Sequence, residues 1–443
     1  MPSPLENRRF RSLLLVMAAV PIAALYLWRT VVLQLASGAL PGDFSENYMA
    51  AAAKIAAGRD PYDLCVIQGC VQTPGAYTPL PLAGAQYVTP PPVAWLLQPL
   101  VGLDSRVQLA VVLVVLQLSL AIFIWTALRA LAVRDWQLRL LLVLVAIAFE
   151  PVGGNFDEGQ VNLVLLGLSG VFLLGWVAGD RWWGGAALGV AVAIKLLQAP
   201  IGLLLLWGRR WRMLAGAAVA GLTLLLLAVP QYLPEYLFKV LPVLAAGTGL
   251  FENHSPGGTV VRLFDPATFL GAARDVGPAA RVITTMIALV VLAVTFWALG
   301  RPRVSRAGRS LEVAAMVAAG PLIASYSWGT HLVLLLLPMF VAIAWAVRRR
   351  DWLVLGLVAA GWTLIGPGHN WFQTLLVSGY SNLVVLRLLA ELGVVGITLV
   401  WVATLLAVRR GTSADRLDSA HEVGADGQEH DRAREHHAVA EVR

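Results

Sequence analysis

The chain has 443 residues, 58% of them hydrophobic and 13% charged, with a formal net charge of +7. Soluble domains carry about 25% charged residues, so this composition excludes a water-soluble globular protein and identifies an integral membrane protein. The positive charge is mostly arginine, which in a membrane protein bears on orientation first; no nucleic-acid-binding motif is present.

Residues 13–36 form the first apolar run. It is too long for a signal-peptide core and lacks a small-residue cleavage site before GDF, so it reads as a retained transmembrane helix. Further runs lie at 107–128, 138–152, 160–178, 183–207, 213–230, 281–300, 311–326, 331–347, 352–366 and 383–408. Basic residues gather between them: Arg8, Arg9 and Arg11 before the first, then Arg129, Arg134 and Arg139, then Arg209, Arg210 and Arg212. Arg301, Arg303, Arg306 and Arg309 follow, then Arg348, Arg349 and Arg350, and finally Arg409 and Arg410. Short Arg-rich loops stay cytoplasmic, so both termini are expected inside.

Segment 181–212 has basic residues at both ends, and a single crossing cannot return to its own side. Two shorter helices meeting near Lys195–Pro200 can, with Pro200 opening the second. Counting both halves predicts an all-α polytopic membrane protein of about 12 transmembrane helices. Residues 1–410 make one transmembrane domain. The tail 411–443, of mixed charge and few apolar residues, reads as disordered and cytoplasmic, its four His incidental.

The opposite, extracytoplasmic face collects the unusual residues. GDFSENY (42–48) supplies Asp43 and Glu46. Asp43 suits the N-cap of a helix from Phe44 to Ala57; it equally suits a general base that takes a proton from an acceptor hydroxyl at the membrane surface. Tyr48 and Tyr62 have the shape to stack on a sugar ring or lipid headgroup, or to serve as interfacial aromatics. Cys65 and Cys70, the only cysteines, fit either a small disulfide in an exported loop or two free thiols. YVTPPPVAWLLQPL enforces an extended chain before re-entry.

GNFDEGQVNLVLLG puts Asp157, Glu158, Gln160 and Asn162 at a helix mouth. They suit capping and interhelical hydrogen bonds, worth about 0.6 kcal/mol per pair in membranes, or a functional site. Lys195 is the lone charge in a long apolar run, a functional candidate by default. A lipid phosphate is its expected partner; the alternatives are snorkelling or an ion pair with Asp157 or Glu158. FENHSPGGTVVRLF offers Asn253, His254, Ser255 and Arg262. SYSWGTH sets Trp328 and His331 at a helix start, and GPGHN adds His369. No Walker, HExxH, nucleophile-elbow or dinucleotide pattern is present, so no cofactor or metal is expected. No cytoplasmic domain is large enough to bind a nucleotide sugar. A transferase on the outer face needs a donor already there, and a polyprenyl-phosphate sugar fits.

Taken in order, GDFSENY, GRDPYD, TPPPVAWLLQPL, GQVNLVLLG, AIKLLQAPIGLLLL, NHSPGG with its following Arg, and SYSWGTHLVLLLLP resemble the bacterial glycosyltransferase family 87, of the GT-C superfamily. The resemblance runs from about 40 to 340. It implies a GT-C-like bundle whose extracytoplasmic loops carry the active site. It also implies polyprenol-phosphate-mannose-dependent α-1,2-mannosyl transfer, with polyprenyl-phosphate arabinofuranose as a sister group's donor. The family's base matches Asp43 and its following aromatic Tyr48. Thr89 stands where an aromatic is usual, and Gln198 and Ala199 delay the expected proline to Pro200. Gln160, Asn162, Lys195, Asn253, Ser255, Arg262, Ser327, Trp328 and His331 match further elements.

On this resemblance the chain is expected to be an inverting, metal-independent enzyme of the bacterial plasma membrane. Asp43 is its base, with Lys195, Arg262 and His331 on the leaving phosphate and Glu46 beside the acceptor. Its partners are a polyprenyl-phosphate sugar donor, a lipid or glycan acceptor and membrane lipids. A transporter or flippase would show a polar path across the membrane, yet the inner halves of the runs are Leu, Val and Ala. A glycan ligase or polymerase would carry an Arg-rich outer loop, yet 231–280 holds Arg262, Arg274 and Lys239 alone.

Overall fold

A computed structural model describes residues 8–62, 87–269 and 277–411, apart from 367, 369, 370, 373, 376, 377 and 381. Cys65, Cys70, His369 and the tail from 412 lie outside the described residues. Among the described residues every regular element is helical.

Among the described residues five helices are long and apolar enough to cross a bilayer: Ser12–Ser37, Ser105–Ala130, Pro278–Leu299, Gly329–Arg349 and Leu383–Gly411. Two bent pairs, Trp136–Ile147 with Glu150–Glu158 (46°) and Trp211–Leu227 with Pro230–Ala246 (97°), bring the number to seven if each is one span. Asn162–Val177, Trp182–Ile194, Leu196–Trp207 and Trp352–Ile365 fall on expected runs but are 10–17 residues long. A full crossing takes about 20 residues. The expected figure of about 12 crossings therefore exceeds what length and composition support. The reason is length: the expected figure counts runs too short for a full crossing, such as 138–152, 311–326 and 352–366, and the two halves of 183–207 separately.

The arginine-bearing loops meet at one end of the bundle. Arg306 donates to the carbonyls of Ala130 and Arg129 (2.8 Å each) and Arg348 to that of Leu131 (2.6 Å). Arg303 donates to the Val408 carbonyl (2.8 Å), and Arg410 pairs with Asp351. A helix leaves its last carbonyls unpaired and carries partial negative charge there, so guanidinium groups satisfy both needs. Asp135, Ser305 and Asp351 cap helices that start at this end. Gln137 donates to Ser12 Oγ (2.7 Å), which brings the start of the first span to the same end.

Segment 181–212 folds back on itself. Helix Trp182–Ile194 stops at Lys195, whose backbone is extended (φ −158°, ψ 125°). A 3-10 turn, Leu196–Gln198, leads to helix Ile201–Trp207, with Pro200 immediately before it. The two ends of the segment then meet: the Met213 amide donates to Asp180 Oδ1 (3.2 Å), and the Arg210 guanidinium lies 5.0 Å above the Trp176 ring. Helix Trp182–Ile194 packs against Trp211–Leu227 through glycines, the small-residue contact that membrane helices use to approach closely. A Cβ on Gly185 would sit 1.8 Å from the Met213 carbonyl oxygen, and one on Gly189 would sit 2.1 Å from that of Ala217. Both members of these pairs advance by four residues, so the helices run parallel and the chain between them has returned. The 13 residues of Trp182–Ile194 rise about 20 Å. That is short of the roughly 30 Å hydrocarbon core, and the helix ends at Lys195 on a cavity wall.

Gly185→Val forces these helices apart and is expected to cost about 3 kcal/mol or more. Thermal unfolding in detergent reads the loss. Gly202→Ala, whose Cβ meets nothing within 4 Å, should not lower the melting temperature.

Candidate functional site

A cavity of about 760 Å³ opens at the end opposite the arginine loops. Its walls come from the end of the first span, the helix that follows, the segment 150–160, the Lys195 turn, the helix around Leu241, and 325–331.

Asp43 does not cap. The helix begins two residues earlier than expected, with Ser45 N–H donating to the Pro41 carbonyl (2.9 Å). Asp43 already has helical angles (φ −63°, ψ −33°), and its side chain bonds no backbone amide of that turn. Its carboxylate instead accepts from Asn47 Nδ2 (2.7 Å) and from Gln160 Nε2. The π-helical turn Phe44–Met49 buries Phe44, Tyr48 and Met49 and leaves Glu46 exposed on the cavity wall.

Gln160 reaches Asp43 because of Gly159. This residue ends helix Glu150–Glu158 in the left-handed region (φ 64°), where glycine carries no Cβ penalty. A Cβ there would also lie 2.5 Å from that of Phe44. The two segments press together, and Gln160 Oε1 accepts from the Tyr48 hydroxyl (2.7 Å) while Nε2 donates to Asp43.

Lys195 completes the chain of contacts. Its ammonium donates to Asn162 Oδ1 (3.0 Å) and, more weakly, to Gln160 Oε1 (3.5 Å). The ion pair with Asp157 or Glu158 that its sequence position allowed is not formed, because Asp157 is engaged elsewhere. Trp328 and His331 line the same cavity. His331 Nδ1 accepts from the Trp328 amide (3.3 Å), so the neutral imidazole carries its proton on Nε2. Asp43, Glu46, Tyr48, Gln160, Lys195, Trp328 and His331 thus share one cavity, with Asn162 directly behind Lys195.

Other expected residues stand behind the walls. Tyr62 is buried, packed on Tyr87 and Tyr236 (ring centroids 5.5 and 6.0 Å), and its hydroxyl donates to the Thr89 carbonyl (2.9 Å). Asn253 Nδ2 donates to the carbonyls of Thr248 (2.8 Å) and Ser325 (3.0 Å), and Oδ1 accepts from the amides of Ser255 and Ser327. Ser255 caps helix Pro256–Phe264. His254 is buried, its amide donating to the Ser327 carbonyl (2.8 Å). Arg262 is buried against Glu391 (2.7 Å) and donates to the carbonyls of Leu250 and Asn253 (3.0 Å each). These four residues join 250–255 to 325–327 as a brace, and none of them lines the cavity.

The sequence reading passed over Arg29, Asn47, Glu150, Glu252 and Tyr326. Arg29 grips Glu150 with two hydrogen bonds (2.6 and 2.7 Å) and also pairs with Asp157, whose other oxygen accepts from Gln34 Nε2 (3.0 Å). Gly153 makes room, since a Cβ there would lie 2.5 Å from the guanidinium. A signal for Arg29 existed: it is a charge inside the first apolar run, the same rule that selected Lys195. Glu252 lines the cavity beside Asp43. Burial, and after it the Asp43 charge, hold its carboxyl above the usual carboxylate range. Among the described residues no group of His, Cys, Asp and Glu is arranged to hold a metal ion.

The arrangement offers a carboxylate and an ammonium on one polar cavity, linked through Gln160. It continues into an apolar flank of Leu196, Leu197, Leu241, Leu244 and Leu292.

Residues 87–325 match the model of glycosyltransferase family 87. A polyprenol-phosphate-mannose-dependent alpha-(1-2)-phosphatidylinositol mannoside mannosyltransferase of Mycolicibacterium smegmatis is 30% identical over 322 residues, 67% of this chain and 68% of that protein. The Mycobacterium tuberculosis protein of the same description is 29% identical over 321 residues, 65% of this chain and 70% of that protein. The crystal structure of ArnT from Cupriavidus metallidurans bound to undecaprenyl phosphate aligns with 93% of this chain and 80% of its own, at 15% identity and a TM-score of 0.40.

Proposed function

The chain belongs to glycosyltransferase family 87, and from that premise we propose that it moves a hexosyl residue, mannose foremost, from a polyprenyl-phosphate sugar to a lipid or glycan acceptor, with inversion. It is a multi-pass membrane glycosyltransferase. Residues 1–410 act as one transmembrane catalytic unit. The arginine end faces the cytoplasm with both termini, because short Arg-rich loops are retained there, and the cavity opens on the extracytoplasmic side of the plasma membrane.

The observation that carries the reading is the convergence of Asp43 and Lys195 on one cavity with an apolar flank. The carboxylate of Asp43 takes the proton of the acceptor hydroxyl as its oxygen attacks the anomeric carbon. The bond from that carbon to the phosphate oxygen breaks, and the electron pair leaves with the polyprenyl phosphate. Charge grows on that phosphate in the transition state. Lys195 and, through Nε2–H, His331 meet it there, where fixed charges and dipoles act most. The leucine flank suits an isoprenoid chain. Asn162 and Gln160 orient the ammonium; Asn253, Ser255 and Arg262 act by holding the wall rather than by touching substrate.

Donor choice tests the reading. Protein in lipid nanodiscs is given polyprenyl-phosphate [14C]mannose or GDP-[14C]mannose together with membrane lipid acceptors. Label should pass to acceptors from the first donor and not from the second. Transfer from the nucleotide sugar alone would refute the reading.

A further inference from the structure

A second cavity, of about 260 Å³, lies at the arginine end of the bundle, and the proposed reaction makes no use of it. Three of the bilayer-length helices end on it: Ala130, Arg349 and Gly411 are the last residues of Ser105–Ala130, Gly329–Arg349 and Leu383–Gly411. Spanning helices end where hydrocarbon gives way to headgroups, so the cavity stands at the level of lipid phosphates.

Its lining has two parts. Leu131, Leu311, Val341 and Trp345 form a buried apolar floor. Arg306, Arg348 and Arg349, all exposed, line the rim, and Arg303 is buried beside them. Among the described residues no Asp or Glu lines it. The carboxylates of this end are engaged elsewhere. Asp351 pairs with Arg410, Asp135 caps a helix, and Asp180 accepts from the Met213 amide. Glu312 accepts from the Trp176 ring N–H (3.1 Å) and the Arg303 amide (2.6 Å).

The bonds from Arg306 and Arg348 to helix-terminal carbonyls fix these guanidinium groups without neutralising them. Arg306 uses two of its nitrogens and Arg348 one, and each group has five N–H donors. The three helix C-termini bring about half a negative charge each, against four full positive charges. The surplus is cationic and held in place, over an apolar floor, at headgroup depth. Basic pockets of this kind between membrane helices take anionic headgroups.

We propose that this cavity binds an anionic phospholipid, with the phosphate at the arginine rim and the glycerol and first methylenes over the floor. A free anion would leave the floor unused. The competing occupant is the stretch that follows Gly411: 412–443 holds eight Asp and Glu, but with four Arg among them. The site does not depend on the reaction proposed above.

Native mass spectrometry tests it, on the full chain in detergent micelles doped with dioleoyl phosphatidylglycerol or dioleoyl phosphatidylcholine. Phosphatidylglycerol should be held at least about tenfold more tightly, since each arginine near an anionic lipid contributes roughly fivefold. Arg349→Gln, at an exposed position, should weaken it about fivefold, and Arg306→Gln with Arg349→Gln about 20-fold. Melting curves of the same samples show whether the fold is kept. Arg212→Gln, exposed at the same end but off the cavity, should leave binding unchanged. Millimolar inorganic phosphate should not displace the lipid. Equal retention of the two lipids, or equal losses in Arg212→Gln and Arg349→Gln, would overturn the proposal. Displacement by inorganic phosphate would overturn it in favour of a free anion. A preference seen only after removal of 412–443 would overturn it in favour of the acidic tail.

Discussion

Asp43→Asn lowers kcat by at least about 100-fold while the melting temperature stays within a few degrees of the unaltered protein. Positioned general bases contribute about 10²–10⁴-fold, and an amide cannot take the proton. The fold should tolerate the change because this carboxylate caps no helix: its side-chain partners are Asn47 and Gln160, and an amide oxygen can still accept from either. Steady-state transfer on samples of equal melting behaviour makes the comparison. Activity within threefold of the unaltered protein would reduce Asp43 to a tether for Gln160.

Lys195→Met lowers kcat/KM by about 10²–10³-fold, the usual cost of removing one preset group from developing negative charge. Methionine keeps the length of the side chain and suits the leucine-lined turn, so packing is largely preserved. The loss of the ammonium does leave Asn162 Oδ1 without its donor. Stability should therefore fall by about 1–3 kcal/mol, a shift that must be measured beside the kinetics. Lys195→Arg should recover part of the activity, since the charge returns with a different shape. A methionine variant that melts earlier yet keeps its kcat/KM would mark Lys195 as structural.

The fold's most unusual feature was legible locally. The break at Lys195 and the return of the chain by Arg212 follow from one isolated charge, one proline and basic residues at both ends. The two sides of the bundle were legible for the same reason, since arginines seek helix C-termini and one membrane face together. The number of crossings was less so. Apolar runs do not show which of them is long enough to cross: the run at 352–366 becomes the 14-residue helix Trp352–Ile365.

Within the cavity, Asp43, Glu46, Tyr48, Gln160, Lys195, Trp328 and His331 were found from motif order and from polar residues set against apolar runs. Asp43 also fitted an N-cap, and only the helix's earlier start at Pro41 separates the two roles. Arg262 looked like a phosphate ligand because its partner, Glu391, lies 129 residues further on. Arg29 was hidden by the reverse effect. Its charge was visible, but Glu150 and Asp157 are 121 and 128 residues away, and no local pattern joins them. Long-range pairing of this kind decides which polar residues brace a wall and which remain open to a substrate.

The central claim is a single displacement at the anomeric carbon between Asp43 and Lys195. The most direct test supplies a polyprenyl-phosphate sugar of one defined anomeric configuration and reads the product's configuration from its one-bond carbon–proton coupling. A base at Asp43 predicts the opposite configuration in the product. Retention would mean two successive displacements, with a carboxylate acting as nucleophile rather than base, and would contradict the account.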